Sequence, residues 1–166
     1  MKHRWPATLI VALLLGCGDA PPDDDLPGPP QPFDAQRFAT MEPGLYRSYL
    51  QLQDALAHDE FAAARMAATT LAGEPHDDLS RLTQAAADAS DITALREAFR
   101  LLSEMLIARE LPADMRVAYC PMAFHFEGGR WLQLNGDIEN PYYGAAMLRC
   151  GALEDPADSS ATHEER

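Results

Sequence analysis

The amino-acid sequence predicts a mainly α protein, a four-helix up-down bundle followed by a small C-terminal β-hairpin/short-helix subdomain. Three observations carry that expectation. From about residue 41 to 110 the apolar residues recur at intervals of three and four, the period of helices buried on one side. After Pro112 the pattern changes to alternation punctuated by Gly-Gly and Asn-Gly, which is strand and turn chemistry. Upstream of residue 41 neither pattern occurs. There a short apolar run gives way to a stretch rich in proline and aspartate.

That upstream part reads as an address. Lys2 and Arg4 precede a mostly apolar run from Ala7 to Leu15, too short for a stable transmembrane helix and laid out like a secretory signal peptide. The run closes on Leu14-Leu15-Gly16-Cys17, which resembles a bacterial lipobox. Residues 1–16 are therefore expected to be cleaved and Cys17 to be lipidated. Gly18 follows, where an inner-membrane retention signal carries Asp, so the expected location is the periplasmic face of the outer membrane. Residues 17–40 form the expected tether. Six prolines fall within 21–32 and large apolar residues are nearly absent before Phe33, so burial cannot offset the entropy of ordering. The globular domain is expected over 41–153 and a polar, disordered tail over 154–166.

Each helix has its own signal. Leu45, Tyr49, Leu52 and Leu56 mark one face of the first, with Pro43 near its start. Phe61, Ala64, Ala68 and Leu71 mark the second, over roughly 59–72, stopped by Gly73 and Pro75. A weaker third over about 77–88 carries Leu79, Leu82 and Ala86. The fourth opens after Asp91, an N-cap residue type, and aligns Ile92, Leu95, Phe99, Leu102 and Leu106 before Pro112. Short connections between four helices imply the up-down arrangement. Met66 on the Ala-rich second helix reads as core filler, Arg65 carries no chemical signal of its own, and His58 and His76, each beside Asp, read as solvated helix-end residues.

In the C-terminal segment Met115, Val117 and Tyr119 alternate as a strand. Residues 123–127 and 130–134 flank Gly128-Gly129 as a hairpin. Asn140-Pro141 opens a short helix running to Leu148, with Gly151 at its C-cap. Soft ligands gather here. Cys120 and Met122 form Cys-x-Met, while Met147 and Cys150 form Met-x-x-Cys, a spacing that puts both sulfurs on one side of a helical turn. Thiolate and thioether together select Cu(I) or Ag(I) over hard divalent ions, and Zn(II) suits the set less because Met is a poor ligand for it. His125 is a further candidate ligand. The alternative is a structural disulfide: Cys120 and Cys150 are the two cysteines left after lipidation, and the periplasm is oxidising.

The same residues carry a resemblance. Tyr119-Cys120-Pro121-Met122-Ala123, Trp131-Leu132, Ile138, Asn140-Pro141-Tyr142-Tyr143-Gly144, Met147 and Cys150-Gly151 resemble an uncharacterised bacterial periplasmic domain family. That family occurs alone or fused to the membrane-fusion (adaptor) subunits of copper/silver-type efflux pumps. Leu102-Ser103-Glu104-Met105-Leu106 resembles its Leu-Ser-x-x-Leu helix, and the likeness spans about 45–153. The resemblance implies heavy-metal handling by association with those pumps, and an efflux adaptor or another envelope protein as partner.

Composition bounds the remaining function classes. The 166 residues hold 13 Lys+Arg against 26 Asp+Glu, a net charge of −13, which signal cleavage would take to −15 by removing Lys2 and Arg4. Nucleic acid is excluded as a partner, because binding it requires neutralising phosphates, and so is a polybasic membrane mode; the membrane is met through the lipid anchor only. No nucleophile–base pair, phosphate-cradling loop or metal-hydrolase spacing is present, so an enzyme is not expected. The sequence thus supports a periplasmic lipoprotein that binds Cu(I) or Ag(I) for sequestration or hand-over to efflux. The alternative is a disulfide-closed interaction module, with Trp131, Tyr142 and Tyr143 as candidate contact aromatics.

Overall fold

The computed structural model describes residues 31–155 except Asp77. The expected signal peptide, Cys17 and most of the tether lie outside the described residues, as does the tail beyond Asp155. Four α-helices come first: α1 Leu45–Ala57, α2 Phe61–Ala72, α3 Ser80–Ala87 and α4 Ile92–Ile107. Three strands follow, β1 Met115–Cys120, β2 Gly129–Leu134 and β3 Ala152–Leu153. A four-residue helical turn at Ala123–Phe126 joins β1 to β2, and a 3-10 turn at Gly144–Met147 precedes β3. Among the described residues no helix is long and apolar enough to cross a membrane.

The helices form where the periodicity predicts. Asp91 caps α4 by accepting the Ala94 N–H at 2.9 Å. The core face of α4 is Leu95, Phe99, Leu102 and Leu106, all fully buried, and full burial of a Leu or Phe is worth about 1.5–3 kcal/mol. α2 and α3 bury mostly alanines, which lets them lie close to their neighbours.

The up-down bundle with an appended subdomain is not what these elements build. The protein is mixed α/β: helices packed on a three-stranded antiparallel sheet of order β2-β1-β3. The principal helix–helix contacts among the described residues follow sequence order, α1 on α2, α2 on α3 and α3 on α4. Where a bundle would close α4 against α1 along their length, β2 lies against both. Tyr49 of α1 joins all three elements. Its ring stacks on Phe99 at 5.0 Å, its hydroxyl lies 2.7 Å from Ser103 Oγ, and that hydroxyl accepts the Leu132 N–H at 3.0 Å. Burial pushes the Tyr49 phenol far above its ordinary range, so it stays a neutral hydroxyl. The physical reason for the correction is where the apolar residues after Pro112 go. Ala118, Cys120, Trp131 and Leu132 are fully buried and belong to the same core as Tyr49, Phe99 and Leu106, so no second core is left for a separate subdomain.

The sheet also differs in detail from the sequence pattern. β1 pairs with β2 from Met115↔Leu134 to Cys120↔Gly129, so residues 121–128 form the connection and Gly128-Gly129 is not a two-residue hairpin turn. Along the end of β1, Ala118 and Cys120 face the core and Tyr119 faces out. The segment after Pro141 forms three turn residues and the short 3-10 turn in place of an α-helix. Gly151, at φ 132°, sits in the bend before β3 and caps no α-helix. A Cβ there would stand 2.8 Å from the Tyr119 carbonyl oxygen and 3.0 Å from the Trp131 ring, so only glycine lets β3 reach β1.

Packing begins before α1. Phe38 is buried, and Arg37 reaches across to Asp54 and Glu139. Met66 is 73% exposed, which corrects its reading as core filler. His58 is not solvated: its ring is largely buried at the end of α1, with Nδ1 2.8 Å from the Asp54 carbonyl oxygen and Nε2 3.0 Å from that of Gln31.

Candidate functional site

Three of the four sulfurs singled out in the sequence come together. Cys120, fully buried at the end of β1, has its Sγ 3.0 Å from Sγ of Cys150, and the Cys150 thiol faces Met122 Sδ at 3.9 Å. Neither cysteine is disulfide-bonded. Met147 is tied to Cys150 by the backbone, its carbonyl accepting the Cys150 N–H at 2.9 Å. Among the described residues neither thiol hydrogen-bonds to its sulfur. His125 is exposed, and no interaction among the described residues joins it to the sulfur cluster. Cys17 lies outside the described residues.

The scaffold of this cluster is built from the remaining residues of the C-terminal motif. Asn140, wholly buried, donates from Nδ2 to the Cys150 carbonyl at 2.7 Å, while its Oδ1 accepts the N–H groups of Tyr142 at 2.8 Å and Tyr143 at 3.3 Å. Its own N–H donates to the Leu148 carbonyl at 2.8 Å. One side chain thus ties both ends of the 140–150 loop. The Tyr142 ring meets Trp131 edge-on at 5.7 Å and Phe124 at 4.9 Å, and its hydroxyl donates to the Arg130 carbonyl. Tyr143 donates to the Met122 carbonyl at 2.5 Å, which fixes the backbone that carries the thioether. Two glycines admit this packing. A Cβ on Gly129 would stand 2.7 Å from the Tyr142 ring, and one on Gly144 would stand 2.2 Å from Asp59 Oδ1. Asp59 in turn accepts from Arg96 at 2.7 Å and from the Ala145 N–H at 2.9 Å, which anchors the loop to the end of α1.

The geometry sets what the sulfurs can do. With metal–sulfur bonds of about 2.3 Å, a trigonal site holds its sulfurs about 4 Å apart. The Cys150–Met122 pair already stands at that spacing, and the two thiols would open by about 1 Å. A disulfide bond is about 2.05 Å long, so forming one would close the same pair by about 1 Å. Burial, together with the neighbouring Cys120, pushes the Cys150 thiol up to about 11. At neutral pH it is protonated, and a metal that binds it displaces that proton.

The chain between Met122 and Gly128 is strained. Phe124, His125 and Phe126 have φ of 51°, 58° and 72°, three successive L-residues in left-handed conformation, each costing roughly 1–2 kcal/mol. Anchors on both sides hold the turn. Phe124 lies between the Tyr142 ring and the Arg100 guanidinium, 4.6 Å from its centroid, and Arg100 also donates to Glu127 at 2.9 Å.

Sequence reasoning missed a second polar cluster. Asp54, His58 and Glu139 place ligand atoms within 4.8 Å of one another, a set that proximity alone would admit as a cation site. Arg37 already fills that role. Its Nη1 stands 2.6 Å from Asp54 and 2.5 Å from Glu139, and both His58 nitrogens face carbonyl oxygens. Burial raises the Asp54 carboxyl above its usual range, although Arg37 and His58 pull it down. Acids at 54 and 139 are 85 residues apart, and only the buried Gln53 beside them, whose amide donates to the Glu139 carbonyl at 2.6 Å, hints at a polar core.

Comparison with known proteins adds nothing to this geometry: no family model, no curated protein and no solved structure matches the chain.

Proposed function

We propose that the chain is an envelope lipoprotein whose Cys120, Met122 and Cys150 sulfurs bind a soft monovalent cation, Cu(I) or Ag(I), for sequestration or hand-over to an efflux system. The observation that carries this reading is the convergence of two thiols and a thioether from positions thirty residues apart in one partly covered cluster. A thiol pair alone needs no methionine beside it, whereas sulfur-only coordination is what Cu(I) and Ag(I) select. Met147 takes no part in the proposed first coordination sphere, and His125 takes none either. The lipid anchor at Cys17 and the efflux partner come from the lipobox-like run and the family resemblance.

The 3.0 Å separation of the thiols favours a second reading, a disulfide that closes the C-terminal loop on β1 in an interaction module. Trp131 and Tyr142 are buried and would not serve as its contact surface. One experiment separates the two readings. Free thiols are counted in the head purified with and without air, and the reduced head is titrated with Cu(I) against a chromogenic chelator. The metal reading expects one ion per chain, loss in Cys120→Ser and Cys150→Ser, weakening in Met122→Leu and no change in Met147→Leu. Failure of the reduced head to compete with a weak chelator would overturn it, and complete oxidation in air would then leave the disulfide module.

A further inference from the structure

Beyond the sulfur site, the structure displays a groove of mixed apolar and acidic lining, between the outer face of α4 and the left-handed turn. The groove there holds about 470 Å³ and is lined by Glu97, Arg100, Leu101, Glu104, Phe124, His125 and Glu127. Leu101 is 56% exposed, Met105 one turn further along α4 is 43% exposed, and Phe126 beside the groove is 77% exposed. These are three of the five large hydrophobic side chains that stand open among the described residues. Leu95, Phe99, Leu102 and Leu106 are buried on the core face of α4, and Leu101 and Met105 stand off that face one turn apart. Phe126 is also displayed at the expense of backbone strain, because the turn that projects it holds three non-glycine residues left-handed. Backbone strain of this kind clusters where a chain meets a ligand or partner.

The geometry points to this groove as the docking surface for a basic amphipathic segment of another protein. Charge selects the occupant. Glu97, Glu104 and Glu127 surround the apolar residues, and the one guanidinium, Arg100, is engaged by Glu127 and by the Phe124 ring. A segment carrying Lys or Arg beside Leu- or Phe-like side chains would cover Leu101 and Phe126 and neutralise the rim. A second copy of this chain would bring acid against acid on a molecule of net charge −13. An anionic lipid surface would be repelled in the same way. Phe124 of this groove follows Met122 by two residues, but the inference does not depend on a metal being bound at the sulfur cluster.

The test is photo-crosslinking of the full-length chain in the cells that make it, with p-benzoylphenylalanine placed at Phe126 or at Leu101 and, as a control, at the exposed Thr69 on α2. Expected is one common protein adduct from positions 126 and 101, absent from 69, whose crosslinked peptide is net positive and amphipathic. The adduct should fall at least fivefold in Glu97→Lys/Glu104→Lys, two exposed sites whose substitution leaves the near-ultraviolet circular dichroism unchanged. An adduct with a second copy, an adduct with lipid only, equal yield from position 69, an acidic crosslinked peptide or no adduct would each overturn the proposal. The thiol and Cu(I) titrations read the sulfur cluster alone, so failure of one proposal is distinguishable from failure of the other.

Discussion

Substituting Asn140 by Ala tests whether one buried amide holds the C-terminal loop against the sheet. Asn140 is wholly buried and makes three side-chain hydrogen bonds, to the Cys150 carbonyl and from the Tyr142 and Tyr143 N–H groups. Removing them forfeits roughly 0.5–1.5 kcal/mol per bond and strands buried partners at about 1–3 kcal/mol each, less whatever water recovers, so a loss of about 3–5 kcal/mol is expected. That is a large share of the 5–15 kcal/mol typical of a domain. At about 3–5 °C per kcal/mol, Tm falls by about 10–20 °C, read by far-ultraviolet circular dichroism and checked by urea unfolding at constant m. Asn140→Asp keeps the oxygen that accepts both N–H groups and replaces only the donor, so at neutral pH it aims a carboxylate at the Cys150 carbonyl. Its deficit should match or exceed that of Ala and shrink as pH falls, because a protonated carboxyl can donate again. Below its Tm, Asn140→Ala should also bind Cu(I) at least about tenfold more weakly, the usual effect of losing a residue that orients a ligand. A loss under 1 kcal/mol in Asn140→Ala, or an Asn140→Asp variant as stable as the parent at pH 7, would refute the reasoning.

Three further outcomes follow from the same geometry. Cu(I) affinity, measured by competition at several pH values, should rise by at least about tenfold per unit up to the Cys150 value of about 11, because binding displaces at least that thiol proton; a flat profile would place the ion elsewhere. Gly151→Ala should cost about 3 kcal/mol in urea unfolding, because its φ of 132° is hostile to a side chain and the added Cβ meets the Tyr119 carbonyl. Arg37→Ala leaves Asp54 and Glu139 facing each other without the guanidinium that bridges them, and should cost about 2–4 kcal/mol at pH 7, towards the lower end because Arg37 is 40% exposed. That deficit should diminish as pH falls: burial already holds the Asp54 carboxyl above its usual range, so protonation of the folded form is favoured and ends the repulsion. Adding Asp54→Asn should restore part of the loss at neutral pH.

The helices were legible because each depends on residues close in sequence. Asp91 caps α4 as its residue type predicts, and the Leu95–Leu106 stripe is buried throughout. The architecture was not legible, because periodicity says which face of a helix is apolar and not what covers it. The decisive partner of Tyr49 is the Leu132 N–H, 83 residues away. On β1 the alternation of Met115, Val117 and Tyr119 marked a strand correctly. It did not say which residues turn inward: at the end of the strand small Ala118 and Cys120 take the crowded side and Tyr119 lies over Gly128. The left-handed turn carried little signal: His125 alone is of a type that favours positive φ, the two phenylalanines do not, and the anchors keep the turn there. The sulfur-bearing residues were legible in composition, and Met122 stands 3.9 Å from Cys150, whereas the short α-helix expected to run to Leu148 is a 3-10 turn over residues 144–147.

The asymmetry of the two thiols bears on both proposed readings of the cluster, exchange of an ion and closure of a disulfide bond. Cys120 is fixed: it is fully buried, lies at the end of a paired strand opposite Gly129, and cannot move without breaking the ladder. Cys150 is held through its backbone by Asn140 and Met147, which leaves its partly exposed side chain free to turn about Cα–Cβ. The change of about 1 Å that separates the present thiol pair from a trigonal metal site, or from a disulfide, therefore falls on Cys150. An incoming ion or thiol meets Cys150 and Met122 first, and Cys120 last. On the proposed metal reading, a ligand set with one buried, immobile sulfur and two nearer the surface would bind by successive replacement of one sulfur at a time, which is the property that transfer between proteins requires and that a fully enclosed structural site lacks.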